Sequence, residues 1–133
     1  MNYCSECGHR VNLTIPPGDD RPRFVCAGCQ TVHYRNPKMV VGAIPEWDGK
    51  ILLCQRAINP AIGRWTLPAG YLENGETITE CAIRETKEEA GADLTDLRPY
   101  AIINLPFIEQ VYFIFRANLE NNTFHPGPES LAV

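Results

Sequence analysis

Two sets of residues in this 133-residue chain have types and spacings suited to metal chemistry: glutamates Glu85, Glu88 and Glu89, and cysteines Cys4, Cys7, Cys26 and Cys29. Carboxylate oxygens take hard ions such as Mg2+ or Mn2+, whereas thiolates take zinc. The two Cys-x2-Cys pairs are separated by 18 residues, a distance at which two tight knuckles deliver four sulfurs to one tetrahedral Zn2+. Between them Pro16, Pro17, Gly18, Asp19 and Asp20 read as a turn joining short strands. A segment this small needs a staple, and metal binding supplies the folding free energy. No thioredoxin-like βαβ pattern surrounds either pair, which counts against redox or disulfide roles. His9, His33 and His125 stand alone and read as surface or packing residues, and Cys54 and Cys81 read as buried thiols.

The glutamates belong to a stretch with helical signals. Thr77-x-x-Glu80 has the form of a capping box and Gly91 is a suitable stop, so residues 78 to 90 are expected to be helical. At about 100° per residue, Glu85 and Glu89 fall on one line beside the apolar stripe of Ile78, Cys81 and Ala82, with Glu88 adjoining. Residues 73 to 96 hold eight acids against two bases, Arg84 and Lys87. Carboxylates crowded beside an interior cost several kcal/mol each unless a cation neutralises them, and a bound divalent ion answers that need. A solvated acidic helix face is the plain alternative.

The remaining elements must hold this helix. Strands are expected over Met39 to Ile44, Ile51 to Gln55, Trp65 to Leu67, Tyr100 to Leu105 and Val111 to Ala117, the last buried on both faces. Asp48-Gly49 is a hairpin pair joining the first two. The alternation of strands with one helix indicates an α/β or α+β class. The chain stops at Ser130-Leu131-Ala132-Val133, where a further strand and a closing helix would be welcome, so the C-terminal part of the fold is read as incomplete.

Composition narrows the function. With 44% apolar and 21% charged residues and no long apolar run, a globular domain plus a small module is expected, without a membrane span. The N-terminus has neither a basic nor an apolar signal region, which points to a cytoplasmic home. A net charge of -4 argues against a nucleic-acid partner, and residues 1 to 35 set only Arg10, Arg21, Arg23 and Arg35 against Glu6, Asp19 and Asp20. That leaves no basic face on the cysteine module, which reads as structural or dimer-forming; a homodimer is left open.

One longer pattern joins the helix to its flanks: Gly70, five residues, Glu76, seven residues, Arg84-Glu85, then Glu88-Glu89 and Gly91. Here the chain resembles the Nudix hydrolases, whose box reads Gly-x5-Glu-x7-Arg-Glu-U-x-Glu-Glu-x-Gly-U with U apolar. Thr86 at the first U and the small Ala92 at the second depart from it. Pro37 to Gly42, Trp65 to Gly70 and Pro126 to Ser130 extend the likeness to a zinc-ribbon subgroup that contains FAD diphosphatases. The resemblance implies a zinc ribbon over 1–35 and a hydrolase domain over 36–133, an αβα sandwich round a mixed sheet with the box as loop-helix-loop. It implies Mg2+ or Mn2+ on Glu85, Glu88 and Glu89, with Glu85 the leading proton acceptor and Glu129 in reserve. Arg84 would pair with Glu76 or Glu80 and orient the loop. Arg56 would meet a phosphate, and Trp65 would stack on a base or flavin. Where relatives carry a late acid, Ala132 cannot serve.

The implied substrate is a small nucleotide-derived diphosphate. FAD, cleaved to FMN and AMP, ranks ahead of NADH and ADP-ribose. The stretch Ile103 to Gln110 lacks the Ser-Gln-Pro-Trp-Pro-Phe-Pro motif of NADH diphosphatases, and Trp65, Phe107 and Ile108 could cover a flavin. The competing expectation is a catalytically silent nucleotide-binding regulator.

Overall fold

The computed structural model describes residues 1–133, which divide into two compact units, Met1–Asn36 and Pro37–Val133. In the first, β1 (Val11–Thr14), β2 (Arg23–Cys26) and β3 (Val32–His33) form an antiparallel sheet in that order. Val11 lies opposite Cys26 and Val25 opposite Val32. A bridge between Tyr3 and Arg10 closes the loop that carries Cys4 and Cys7. Cys4 and Cys26 are buried, at 3% and 0% exposure, in a unit with little other apolar interior.

The second unit contains β4 (Lys38–Trp47), β5 (Lys50–Ile51), β6 (Cys54–Arg56), β7 (Trp65–Thr66), β8 (Ala69–Tyr71), α1 (Ile78–Ala90), β9 (Leu94–Leu105), β10 (Gln110–Leu119) and β11 (Ser130–Ala132). A mixed sheet runs β5-β4-β10-β9, with β8 also paired to β4. β4 and β10 are parallel, Val41 opposite Phe113, and β9 returns antiparallel to β10. A smaller sheet has the order β11-β6-β7. No helix is long and apolar enough to cross a membrane.

Period-2 alternation sends Met39, Val41, Phe113 and Phe115 to the sheet face covered by α1. There they meet Cys81, Ala82 and Ile78 of the helix, whose small side chains allow close approach. Ala43, Ala90, Ala92, Leu94, Ala117 and Leu119 continue this core with Leu52 and Cys54. The helix begins where Thr77 Oγ1 accepts from Glu80 N at 3.1 Å. It ends at Gly91, whose φ of 61° is left-handed and whose N–H bonds Lys87 O at 2.9 Å. Thr86, at a position where the box prefers an apolar residue, is fully buried because its hydroxyl bonds Ala82 O at 2.8 Å.

The structure differs from the sequence reading at several places. The strand expected over Ile51 to Gln55 splits in two. Pro45 has no N–H to extend the β4–β5 ladder, which stops at Glu46 opposite Ile51, and the chain then turns to bury Leu52 and Cys54. β9 starts at Leu94 and is irregular in its first half, with Asp96 at a φ of 55° and two register shifts. β10 is not buried on both faces: α1 covers one, and Arg116 projects from the other side into an ion pair with Glu46. Finally, Ser130–Ala132 does form a strand, β11, against β6. The only α-helix is α1, so the helical cover of the expected sandwich lies on one face.

Candidate active site and metal centre

The box places its acids through the loop before the helix. β8 pairs with β4, Gly70 opposite Val41, and sits against α1. Gly70 leaves the room that the Glu85 carboxylate occupies: a Cβ at this position would overlap the carboxylate, so a larger residue would have to move Glu85. One residue earlier, Ala69 N–H donates to Glu89 Oε2 at 3.0 Å. Loop backbone and helix carboxylates therefore fix each other.

Arg84 organises the other side of the loop. Its guanidinium donates to Glu76 at 2.7 and 3.0 Å, to Glu85 Oε1 at 2.8 Å, to Glu88 Oε2 at 3.2 Å and to Tyr71 O at 3.1 Å. Of the two partners expected from sequence it takes Glu76 and not Glu80. Glu76 is held at a pKa of about 2 by this guanidinium, with help from the Glu73 N–H. The fork is planar and multiply engaged, a role that a lysine ammonium cannot copy.

Glu85, Glu89, Glu129 and Arg56 line one cleft of about 460 Å3, together with Val40, Tyr71, Ile108 and Tyr112. Tyr71, Val40 and Tyr112 are register neighbours across β8, β4 and β10 and form one row. Burial pushes Glu89 up to about 7, against the Ala69 hydrogen bond, and the charges of Glu85 and Glu129 add to the rise. Burial likewise raises Glu85, partly opposed by Arg84. These are the marks of carboxylates short of positive charge, and their oxygens suit a hard divalent ion. Glu88 is different. Its side chain is 57% exposed, pairs with Arg84 and is absent from the cleft lining.

The two residues expected to bind substrate are separated. Arg56 lines the cleft, its Nε tied to Pro60 O at 2.7 Å. Trp65 does not: it lies opposite Gln55 in the β6–β7 pair, and strand alternation puts Gln55 and Arg56 on opposite faces. Trp65 instead borders a second cleft with Trp47 and Phe124. Phe107, 80% exposed, is also outside the carboxylate cleft, while Ile108 is in it. Tyr71 and Tyr112 went unnoticed in the sequence because only strand register brings them together.

In the N-terminal unit the four Sγ atoms all lie within 4.8 Å of one another, Cys4 to Cys29 at 3.7 Å and Cys7 to Cys26 at 3.4 Å. Backbone N–H groups point at the sulfurs: Gly28 and Cys29 toward Cys26, and Glu6 toward Cys4. The Thr31 hydroxyl and backbone lower the Cys29 thiol to about 6. In the same cluster, and against the His9 backbone N–H, the crowded Cys26, Cys29 and Cys4 sulfurs push the Cys7 thiol up to about 12. Four thiolates can therefore coexist only with a neutralising cation, and a tetrahedral thiophilic ion is the one that suits them. Two histidines read as isolated in the sequence abut this cluster: His33 Nε2 is 3.2 Å from Cys4 Sγ and His9 Nδ1 3.3 Å from Cys7 Sγ.

Family comparison matches residues 2–35 to the N-terminal zinc ribbon of Nudix proteins and residues 36–133 to the NUDIX domain. The chain is 31% identical over 132 residues to the NAD-capped RNA hydrolase NudC of Vibrio atlanticus (strain LGP32), covering 99% of this chain and 47% of that protein. A 58-residue stretch, 44% of this chain and 34% of the relative, is 48% identical to the ADP-ribose pyrophosphatase of Methanocaldococcus jannaschii. The crystal structure of a NUDIX hydrolase from Nitrosomonas europaea superimposes with a TM-score of 0.95 at 55% identity, covering 99% of this chain and 75% of that one. The chain thus spans about half the length of the curated NudC relative.

Proposed function

Because the chain belongs to the Nudix family, we propose that it hydrolyses the diphosphate bond of a nucleotide derivative with the help of a divalent ion, Mg2+ or Mn2+. The observation that carries this reading is the convergence of Glu85, Glu89 and Glu129 with Arg56 on one cleft. When bound, the divalent ion draws charge from the phosphate oxygens and makes an attacking water more acidic. Glu85, Glu88 and Glu89 are the residues that would hold it, Glu85 and Glu89 from the cleft lining and Glu88 from beside Arg84. Glu85 accepts the proton of the attacking water, and Glu129, in the same cleft, is the reserve for that task. Arg56 engages a phosphate oxygen. Arg84 and Glu76 keep the loop and Glu85 in place.

For substrate the reading is FAD, cleaved to FMN and AMP. Support comes from the apolar and aromatic side of the cleft, Tyr71, Tyr112, Ile58 and Ile108, which suits a broad ring, and from the missing NADH-diphosphatase motif. Trp65 gives no support, since it borders the other cleft. A second reading, a nicotinamide dinucleotide or ADP-ribose, is favoured by the relatives' names. The test is the ratio of kcat/KM values for FAD, NADH and ADP-ribose under one metal condition. FAD is expected to lead; a tenfold preference for either competitor, about 1.4 kcal/mol of transition-state binding, overturns the flavin assignment while keeping the hydrolase.

The N-terminal unit is read as a structural zinc site on Cys4, Cys7, Cys26 and Cys29, spanning residues 1–35 ahead of the hydrolase domain. A reducing cytoplasmic setting suits its free thiols.

A further inference from the structure

The last turn of α1 leaves carbonyls that no residue of the helix can close, and a distant segment closes them. Lys87 O takes the N–H of Gly91, but Ala90 O takes the His125 N–H at 2.7 Å and Glu89 O takes the Gly127 N–H at 3.1 Å. Gly127 makes that approach possible. A Cβ there would overlap Glu88 O, a backbone atom fixed in the helix, so only a main-chain displacement could admit it. Prolines on both sides, Pro126 and Pro128, fix φ and leave this strap few other conformations. Just beyond, Ser130 N–H closes a turn on Gly127 O at 3.1 Å, and Glu129 O accepts the Ala57 N–H at 2.9 Å, next to Arg56. The main chain of Glu129 is thus fastened on one side to the helix end that carries Glu89 and on the other to the end of the strand that carries Arg56. Glu129 lines the cleft with Glu85 and Glu89, and its charge acts on both. The helix already has its stop in Gly91, so the strap is not needed to end it.

We propose that Gly127 is a positioning residue: by resting against the last turn of α1 it holds the Glu129 carboxylate at the divalent-ion site of Glu85 and Glu89. This rests on the reading of the cleft as a metal site. Gly127 itself does no chemistry; its contribution is the absence of a side chain where the strap crosses Glu88 O.

The test is Mn2+ binding to the intact, zinc-loaded chain, read from the free-ion electron paramagnetic resonance signal, which needs no substrate. A double-mutant cycle pairs Gly127→Ala with Glu129→Gln. Each single variant should weaken Mn2+ binding about tenfold, because each takes one carboxylate charge away from the site, and the double variant should stay within about twofold of Glu129→Gln. A purely structural role for Gly127 would instead make the two losses multiply. Should Gly127→Ala unfold the chain, a glycine inserted between Pro128 and Glu129 decides. It keeps Gly127 against the helix, displaces Glu129, and should give the same loss of about tenfold in a folded protein. The inference is overturned if Glu129→Gln binds Mn2+ as wild type does, if the losses multiply in the double variant, or if the folded strap variants keep wild-type affinity. A wild-type chain that binds no Mn2+ refutes the metal reading and the inference with it, whereas Mn2+ binding indifferent to the strap refutes the inference alone.

Discussion

Replacing Glu89 with glutamine should stabilise the protein when no divalent ion is added, and the gain should grow with pH. Glu89 titrates at about 7 in the folded chain because burial disfavours its charge, against an ordinary value of 4.5. Between those values the folded state binds the proton more tightly than the unfolded chain. Native stability therefore falls as pH rises through that window, and above it the ionised group remains a cost. The gap corresponds to roughly 3 kcal/mol, an upper figure for a side chain that keeps some solvent contact. The glutamine side chain cannot titrate, has nearly the same size and can still accept the Ala69 N–H. The advantage of Glu89→Gln over wild type should stay below about 1 kcal/mol at pH 5 and reach about 2 kcal/mol at pH 8 once solvent screening is allowed for. For a domain of this size that is a difference of roughly 5 °C or more in Tm at the higher pH. Thermal and urea unfolding should be followed in buffers passed over a chelating resin, since a soluble chelator would also strip the zinc ribbon. Adding Mg2+ should reverse the order, because ligand binding stabilises the wild type alone. A gain of equal size at pH 5 and pH 8, or a less stable variant at pH 8, would refute the burial argument.

Gly70→Ala should lower kcat/KM about a hundredfold with little loss of stability, because the added methyl overlaps only the end of the Glu85 side chain and must push that carboxylate out of place; kinetics and urea unfolding measure both. Arg84→Lys should reduce kcat about tenfold or more with little change in KM, because one ammonium cannot serve Glu76, Glu85 and Tyr71 O together. Cys26→Ser should abolish about one equivalent of bound zinc and unfold the N-terminal unit, as read by metal analysis and limited proteolysis; a zinc-free, protease-resistant ribbon contradicts that assignment.

Local signals in the sequence marked what local physics decides. Thr77, Glu80 and Gly91 bound the helix because caps act within one turn. The cysteine spacing located the thiol cluster because each knuckle closes on itself. What depends on distant pairing was not legible. That β6 leaves the main sheet follows from Pro45 facing the hairpin and from the interior needing Leu52 and Cys54. Arg56 and Trp65 look equivalent in sequence, yet the β6–β7 register sends them to different clefts. His33 reaches Cys4, and Tyr71 lines up with Tyr112 across Val40, only through strand register, whereas His9 meets Cys7 two residues away within one knuckle. Glu129 was suggested by resemblance alone, and its place in the carboxylate cleft depends on the chain returning as β11 beside β6.

The most direct test of the carboxylate cleft as a hydrolytic metal site is mononucleotide release from FAD, NADH and ADP-ribose as Mg2+ or Mn2+ is titrated, comparing wild type with Glu85→Gln, Glu89→Gln and the double variant. Cleavage is expected to need the added ion and to fall at least about a hundredfold in each variant while the fold persists. Turnover without any divalent ion, or near-normal rates in the double variant, would contradict the account and return these glutamates to a solvated acidic helix face.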